Sequence, residues 1–363
     1  MESLDDWTQW LKKWLLSDAK PIRHKPDRIL PKDSPGRLSL LNLSSPDFSL
    51  GIELQKKCLD WAQIWCEEQA SGWVCPPLLG NMSVFLRNGR LLAQFGVDEV
   101  LRKISDTVFH TSDPSPKFPA IHHAQFLALH DPLQINPQAQ LLSRQIFGLD
   151  LIGLDFDHLQ SAGALQSWLN RKTNLELQSL HRLHGWMILA QQWSCEFNWN
   201  PAVKIWYENF SQANLITCSG PMRFLSDEYD HRTAWEIPLS DGFVLRVSAQ
   251  PQELLAGIKS WQNGTETVQF PIFTQASALS LRPWLETSGL EHLLEAGSDD
   301  LQFISPDARW LEDGWHAGQL LIPQPRIPVG DKPKQAQSLN RACYMMIVES
   351  RSEIPWFWGW IQR

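Results

Sequence analysis

The chain has 363 residues, enough for two ordinary domains or one large one, and its 43% apolar and 20% charged content is that of a protein with a packed core. A formal charge of −8 excludes general phosphate-driven nucleic-acid binding, which needs a basic surplus. Six cysteines (Cys58, Cys66, Cys75, Cys195, Cys218, Cys343) form no CxxC and no paired metal spacing, and no uncharged apolar run reaches the ~18–20 residues of a membrane span. The opening MESLDDW lacks signal-peptide character, so the expected compartment is the reducing cytoplasm.

The first predicted element is a helix over the opening residues. Leu4, Trp7, Leu11, Trp14 and Leu15 share one stripe with Trp10 at its edge, and Asp5, Asp6, Lys12 and Lys13 sit where the helix dipole favours them. Burying three indoles removes roughly 450–750 Å² from water. This stripe therefore needs a cover, and a basic, proline-rich strap (Lys20 to Arg37) separates it from the rest of the chain. A second helix is expected over about 50–69, where Leu50, Leu54, Cys58, Trp61 and Trp65 line up. Residues 82–95 then read as a hairpin, because Asn88-Gly89 accepts a type I′ turn, and a helix follows.

Lys117 to Gln138 reads as strand and loop. Residues 159–193 read as helical in two pieces broken near Lys172–Asn174, with Leu183, Trp186, Ala190 and Trp193 at helical spacing. Thr233 to Gln250 reads as a hairpin around Asp241-Gly242, with a helix from Pro251. Further strands are expected in 266–273, 318–323, 342–350 and 355–362, with a short helix near Leu290–Ala296. The stretch 322–334, IPQPRIPVGDKPK, reads as a surface segment. In the last strand, Trp356, Trp358 and Trp360 alternate with Phe357, which suits a terminal strand sealing the core.

Together these elements predict an α+β fold with helices concentrated in the N-terminal half and antiparallel strands in the C-terminal half. Three parts follow: an aromatic helix and strap (1–37), a mainly helical unit with one hairpin (38–210) and a strand-rich unit (211–363). The hairpin–helix order of the two halves leaves an internal repeat open.

Candidate chemistry is sparse. SDEYDHRTAWE gathers Asp227, Asp230 and His231, which could hold a divalent metal or act as an acid–base pair, and equally reads as a charged turn before a strand. Cys218, before a Ser-Gly-Pro turn, could be a nucleophile with His231 as base; the alternative is a buried structural thiol. His122 and His130 would lie roughly 26 Å apart on a strand, too far to share a metal. His181 and His184 would share a helical face. Asp150, Asp155 and Asp157 have no glycine-rich phosphate loop beside them, and no P-loop, GxGxxG or GxSxG occurs.

The sequence therefore predicts a non-enzymatic adaptor or assembly factor that docks a protein partner through Trp7, Trp10, Trp14 and Leu11. The alternative is a hydrolase or metal-dependent enzyme built on Cys218, Asp227, Asp230 and His231. No cofactor is expected. Peripheral membrane contact by the aromatic helix ranks behind a protein partner, because Asp5, Asp6 and the overall acidity oppose it.

Overall fold

The computed structural model describes residues 60–61, 64–66, 69–76, 78–79, 82 and 85–86, and then 122–322, 333, 336–339, 342–350, 353 and 355–362. Within 122–322 the stretches 131–133, 147–148, 159, 174, 177–182, 184, 210–213, 256–259, 272–275, 296–300 and 309 are left aside. The Trp7–Trp14 stripe, the basic strap, the Asn88-Gly89 turn and the His181/His184 pair all fall outside the described residues.

The described strands in chain order are β1 (Ser71–Val74), β2 (His122–His130), β3 (Leu149–Leu154), β4 (Met187–Glu196), β5 (Lys204–Asn209), β6 (Asn214–Ser226) and β7 (Arg232–Pro238). They continue with β8 (Phe243–Ser248), β9 (Gln262–Pro271), β10 (Ser277–Ser280), β11 (Asp313–Leu321), β12 (Gln337–Ser338), β13 (Ala342–Glu349) and β14 (Pro355–Gln362). Among the described residues the complete α-helices are α1 (Pro137–Ile146), α2 (Ser161–Thr173) and α3 (Arg282–Thr287). The strands form a nine-stranded sheet, ordered β1-β14-β13-β8-β7-β6-β9-β12 with β5 also on β6, and a five-stranded sheet, ordered β10-β11-β4-β2-β3.

This corrects the expected α+β layout. The described residues are mostly in sheet, with helices not gathered in the N-terminal half, and two pairs of the five-stranded sheet, β11–β4 and β2–β3, are parallel. The main source of the difference is β4. Its residues from Met187 to Cys195 are all buried, so the strand is covered on both faces and shows no period-two alternation. Such a run cannot be told from a buried helix by periodicity alone. Helical residues at Met82, Phe85 and Leu86 likewise replace the first strand of the expected hairpin at 82–95, which removes the basis for a hairpin–helix repeat.

Other elements follow local chemistry closely. Asp241 and Gly242 both have positive φ (60° and 81°), and they close the β7–β8 hairpin where the sequence placed it. Pro251 opens a short 3-10 helix, Pro251–Leu255. β14 is not an edge: it lies between β1 and β13. A bulge skips Trp356 in the β13–β14 register, so Trp356 joins Phe357 in one core cluster while Trp358 and Trp360 enter another. The cluster of Trp356 and Phe357, which also holds Trp193, Phe197 and Phe243, draws on strands of both sheets and holds them together.

Candidate functional site

The best-defined polar arrangement lies across the five-stranded sheet. β11 runs parallel to β4 in unbroken register over nine residue pairs, from Asp313 opposite Ile188 to Leu321 opposite Glu196. On β2, β4 and β11, Gln125, Gln191 and His316 stand directly opposite one another. Side chains opposed in this way share a face, and these three are buried and linked in a row.

Gln191 Nε2 donates to Gln125 Oε1 (2.9 Å) and to the Leu78 carbonyl (3.0 Å). His316 Nε2 accepts from the Cys75 N–H (2.9 Å) and from the Trp193 indole (3.0 Å). With Nε2 accepting, the proton sits on Nδ1 and is donated to Gln191 Oε1 at 2.9 Å. Burial lowers the His316 pKa to about 3, and two N–H groups aimed at Nε2 leave no room for a second proton. The ring is therefore neutral, and every polar atom in it is used.

Gly318 makes the indole contact possible. It stands opposite Trp193, whose ring crosses β11 where a Cβ on Gly318 would overlap it. The opposite face of β4 carries a second row. Gln192 Nε2 donates to Asn170 Oδ1 (2.9 Å) and Thr173 Oγ1 (2.7 Å), and Ser194 Oγ donates to the Thr173 carbonyl (2.5 Å). Helix α2 is thus fastened over β4. Beyond Leu321 the chain leaves the five-stranded sheet and returns at Gln337 as β12, paired with β9 of the other sheet. The connection between them, residues 322–336, has 15 residues.

A separate buried ion cluster lies in the nine-stranded sheet. Arg246 is fully buried between Glu236 (2.9 Å) and Glu353 (2.5 Å), and Arg223 pairs with the same Glu236. Arg246 also donates to the Leu254 carbonyl and lies over the Trp261 ring. Its charge is spent inside the fold.

The sequence-predicted site residues are not brought together. Cys218 is fully buried in the middle of β6, and burial holds its thiol well above the usual range, which is the opposite of an activated nucleophile. His231 precedes β7 in the turn after β6, whose last residue, Ser226, is opposite Arg232. Cys218 is eight residues from Ser226 along the strand, roughly 26 Å at ~3.3 Å per residue. Asp227 accepts from the Tyr229 and His231 amides and meets His231 Nδ1 at 3.1 Å. The His231 amide bond and the other contacts hold its carboxyl below the usual range. Asp230, at positive φ, binds Arg232 at 2.7 Å. The cluster organises its own turn, and no group of three or more metal-ligating side chains occurs among the described residues. No described helix is long and apolar enough to cross a membrane.

No family model and no curated protein sequence matches the chain. Solved structures do. Native protease nexin-1 with heparin superposes with a TM-score of 0.63 at 12% identity, covering 89% of this chain and 99% of that one. Mouse protein-Z dependent protease inhibitor gives 0.63 at 16% identity, covering 90% and 98%. Serpin-12 of Manduca sexta, a serine protease inhibitor, gives 0.58 at 15%, covering 88% and 98%. The chain has the serpin fold.

The match overturns the adaptor reading and its hydrolase alternative. The folds that this chain resembles along nearly their whole length are those of protease inhibitors. The sequence missed the Gln125–Gln191–His316 row. Its signal was a polar residue inside an apolar run, as in MILAQQW and GWHAGQLL.

Proposed function

We propose that this serpin-fold protein is a protease inhibitor whose contact segment is the connection 322–336. The observation that carries this reading is the near-full-length likeness to structures described as protease inhibitors, among them mouse protein-Z dependent protease inhibitor and Manduca sexta serpin-12. The sheet topology supports it. β11 is anchored to β4 along its whole length and β12 to β9, so the connection is tethered at both ends to rigid sheets.

Its chemistry selects a class of protease. Arg326, Lys332 and Lys334 are its only cations, and of these Lys332 is followed by proline. A protease with an acidic specificity pocket would therefore read Arg326, followed by Ile327, or Lys334, followed by Gln335. The test is titration of trypsin-like, chymotrypsin-like and elastase-like proteases with the full chain. The expected result is inhibition of a trypsin-like enzyme, weakened by about tenfold or more in Arg326→Ala or Lys334→Ala, in line with the loss of one charged contact. Absence of binding to all three classes overturns the reading.

A further inference from the structure

Serpin reactive loops can add themselves to a sheet as a strand. In this chain the place for such an addition is the seam between β4 and β11, which run parallel and would both flank a returning segment. We infer that the seam is closed to the connection 322–336, so that a bound protease is held by reversible occupancy and not by strand insertion. The inference rests on the reading above only in taking this connection as the segment that a protease meets.

Chain length comes first. To enter the seam, the chain must reverse after Leu321 and run back beside β11. Two residues for the reversal and nine to match the nine paired residues consume 322–332. Four residues, 333–336, are then left to return to β12. The Phe197 N–H donates to the Leu321 carbonyl, and six residues on the chain reaches Val203 and then β5, from which Ile205, Cys218, Val268 and Gln337 stand opposite one another in turn, so β12 restarts on the side where β11 ends. Four residues span about 14 Å at most, while a nine-residue strand is about 27 Å long. The intact connection cannot fill the seam.

A cut connection escapes that tether, and its sequence then decides. Pro325 and Pro328 both fall inside the nine-residue stretch 324–332, with Pro323 at the reversal. Successive residues of a strand offer their N–H groups to opposite neighbours. Pro325 and Pro328 are three apart, so each flanking strand would face a missing donor. The side chains fail as well. The even-numbered set includes Arg326 and Lys332 and the odd-numbered set includes Asp331, so either orientation turns charge toward the packed face that holds Gln191, Trp193 and His316.

The seam itself resists opening. Inserting one strand moves β4 and β11 from about 4.8 Å to about 9.6 Å apart. That separates His316 Nδ1 from Gln191 Oε1 and the Trp193 indole from His316 Nε2, and leaves the Nδ1–H, the Gln191 oxygen and the indole N–H buried without these partners, while Nε2 keeps only the Cys75 N–H.

The test compares the intact protein with protein cut once within 322–336 by limited proteolysis, the cut being verified by mass. Because the cutting protease serves only as a reagent, the result does not depend on whether an inhibited partner is found. The expected outcome is a melting temperature within about 2 °C of the intact protein. Amide exchange in β4 and β11 should also be unchanged. A rise of about 10 °C or more on cutting, with new exchange protection in 324–332, overturns the inference. As a second measurement, Pro323→Ala/Pro325→Ala/Pro328→Ala is cut in the same way. If prolines and charge both bar entry, it too shows no rise; a rise in this variant alone still supports the closed seam and assigns the barrier to the prolines.

Discussion

Acidification should destabilise this protein through one buried ring. In the folded state His316 is neutral, with a pKa lowered to about 3 by burial and with Nε2 already accepting two N–H groups. In the unfolded chain a histidine titrates near 6.5, so below that pH the unfolded state binds a proton that the folded state refuses. A group whose folded pKa is depressed contributes stability that is present above the unfolded pKa and lost as pH falls toward the folded one. The window for His316 therefore runs from about 6.5 down to about 3. At roughly 1.4 kcal/mol per pH unit, going from pH 7.5 to pH 5 removes about 2 kcal/mol, since only the part below 6.5 counts.

The assay is urea unfolding followed by tryptophan fluorescence at pH 7.5, 6.5, 5.5 and 5.0, on the wild type and on His316→Gln. The variant will be less stable at every pH, because the Cys75 amide and the Trp193 indole lose their acceptor. The diagnostic quantity is the difference between the two proteins, which cancels the titration of every other group. It should shrink by about 2 kcal/mol between pH 7.5 and pH 5. Parallel curves for wild type and variant over that range would refute the neutral, doubly accepting ring.

Three further outcomes follow from the packing. Gly318→Ala drives a methyl into the Trp193 ring and should cost about 1–3 kcal/mol in urea unfolding, a large effect for so small a change. Arg246→Ala leaves Glu236 and Glu353 buried without their shared cation and should cost about 3–5 kcal/mol, seen as a lowered melting temperature. Thr173→Val keeps the shape of the side chain but removes one of the two acceptors of Gln192 Nε2, so a loss of about 1 kcal/mol is expected, with faster amide exchange at the end of α2.

How far the sequence carried can be seen element by element. The β7–β8 hairpin was legible because Asp241-Gly242 states its geometry in two residues. β13 and β14 were legible as strands, but not the bulge at Trp356, which depends on the partner strand. β4 was not legible, because burial on both faces erases the alternation that marks a strand. The seam was further out of reach. Gln125, Gln191 and His316 are separated by 66 and 125 residues, and only the sheet order brings them into one row. The SDEYDH cluster stood out for the contrary reason: its residues are neighbours in sequence, and they turned out to serve the turn that contains them.

The two polar rows on β4 also explain how a strand so apolar finds its place. Met187 to Ala190 present apolar groups to both faces, so those four residues alone would fit β2 and β11 almost equally well after a one-residue slip. The next four break that degeneracy. Gln191 and Trp193 find partners only on the His316 face, and Gln192 and Ser194 only under α2. A slip of one residue exchanges the two sets. It would place the Trp193 ring under α2, away from Gly318, and leave the Trp193 indole N–H and the His316 Nδ1–H without their partners in the interior. Each stranded polar group costs on the order of 1–3 kcal/mol, so the wrong register is disfavoured by several such terms at once. The polar residues that bind the seam shut are thus the same ones that set its register, and loosening it by mutation should also make β4 less uniquely placed.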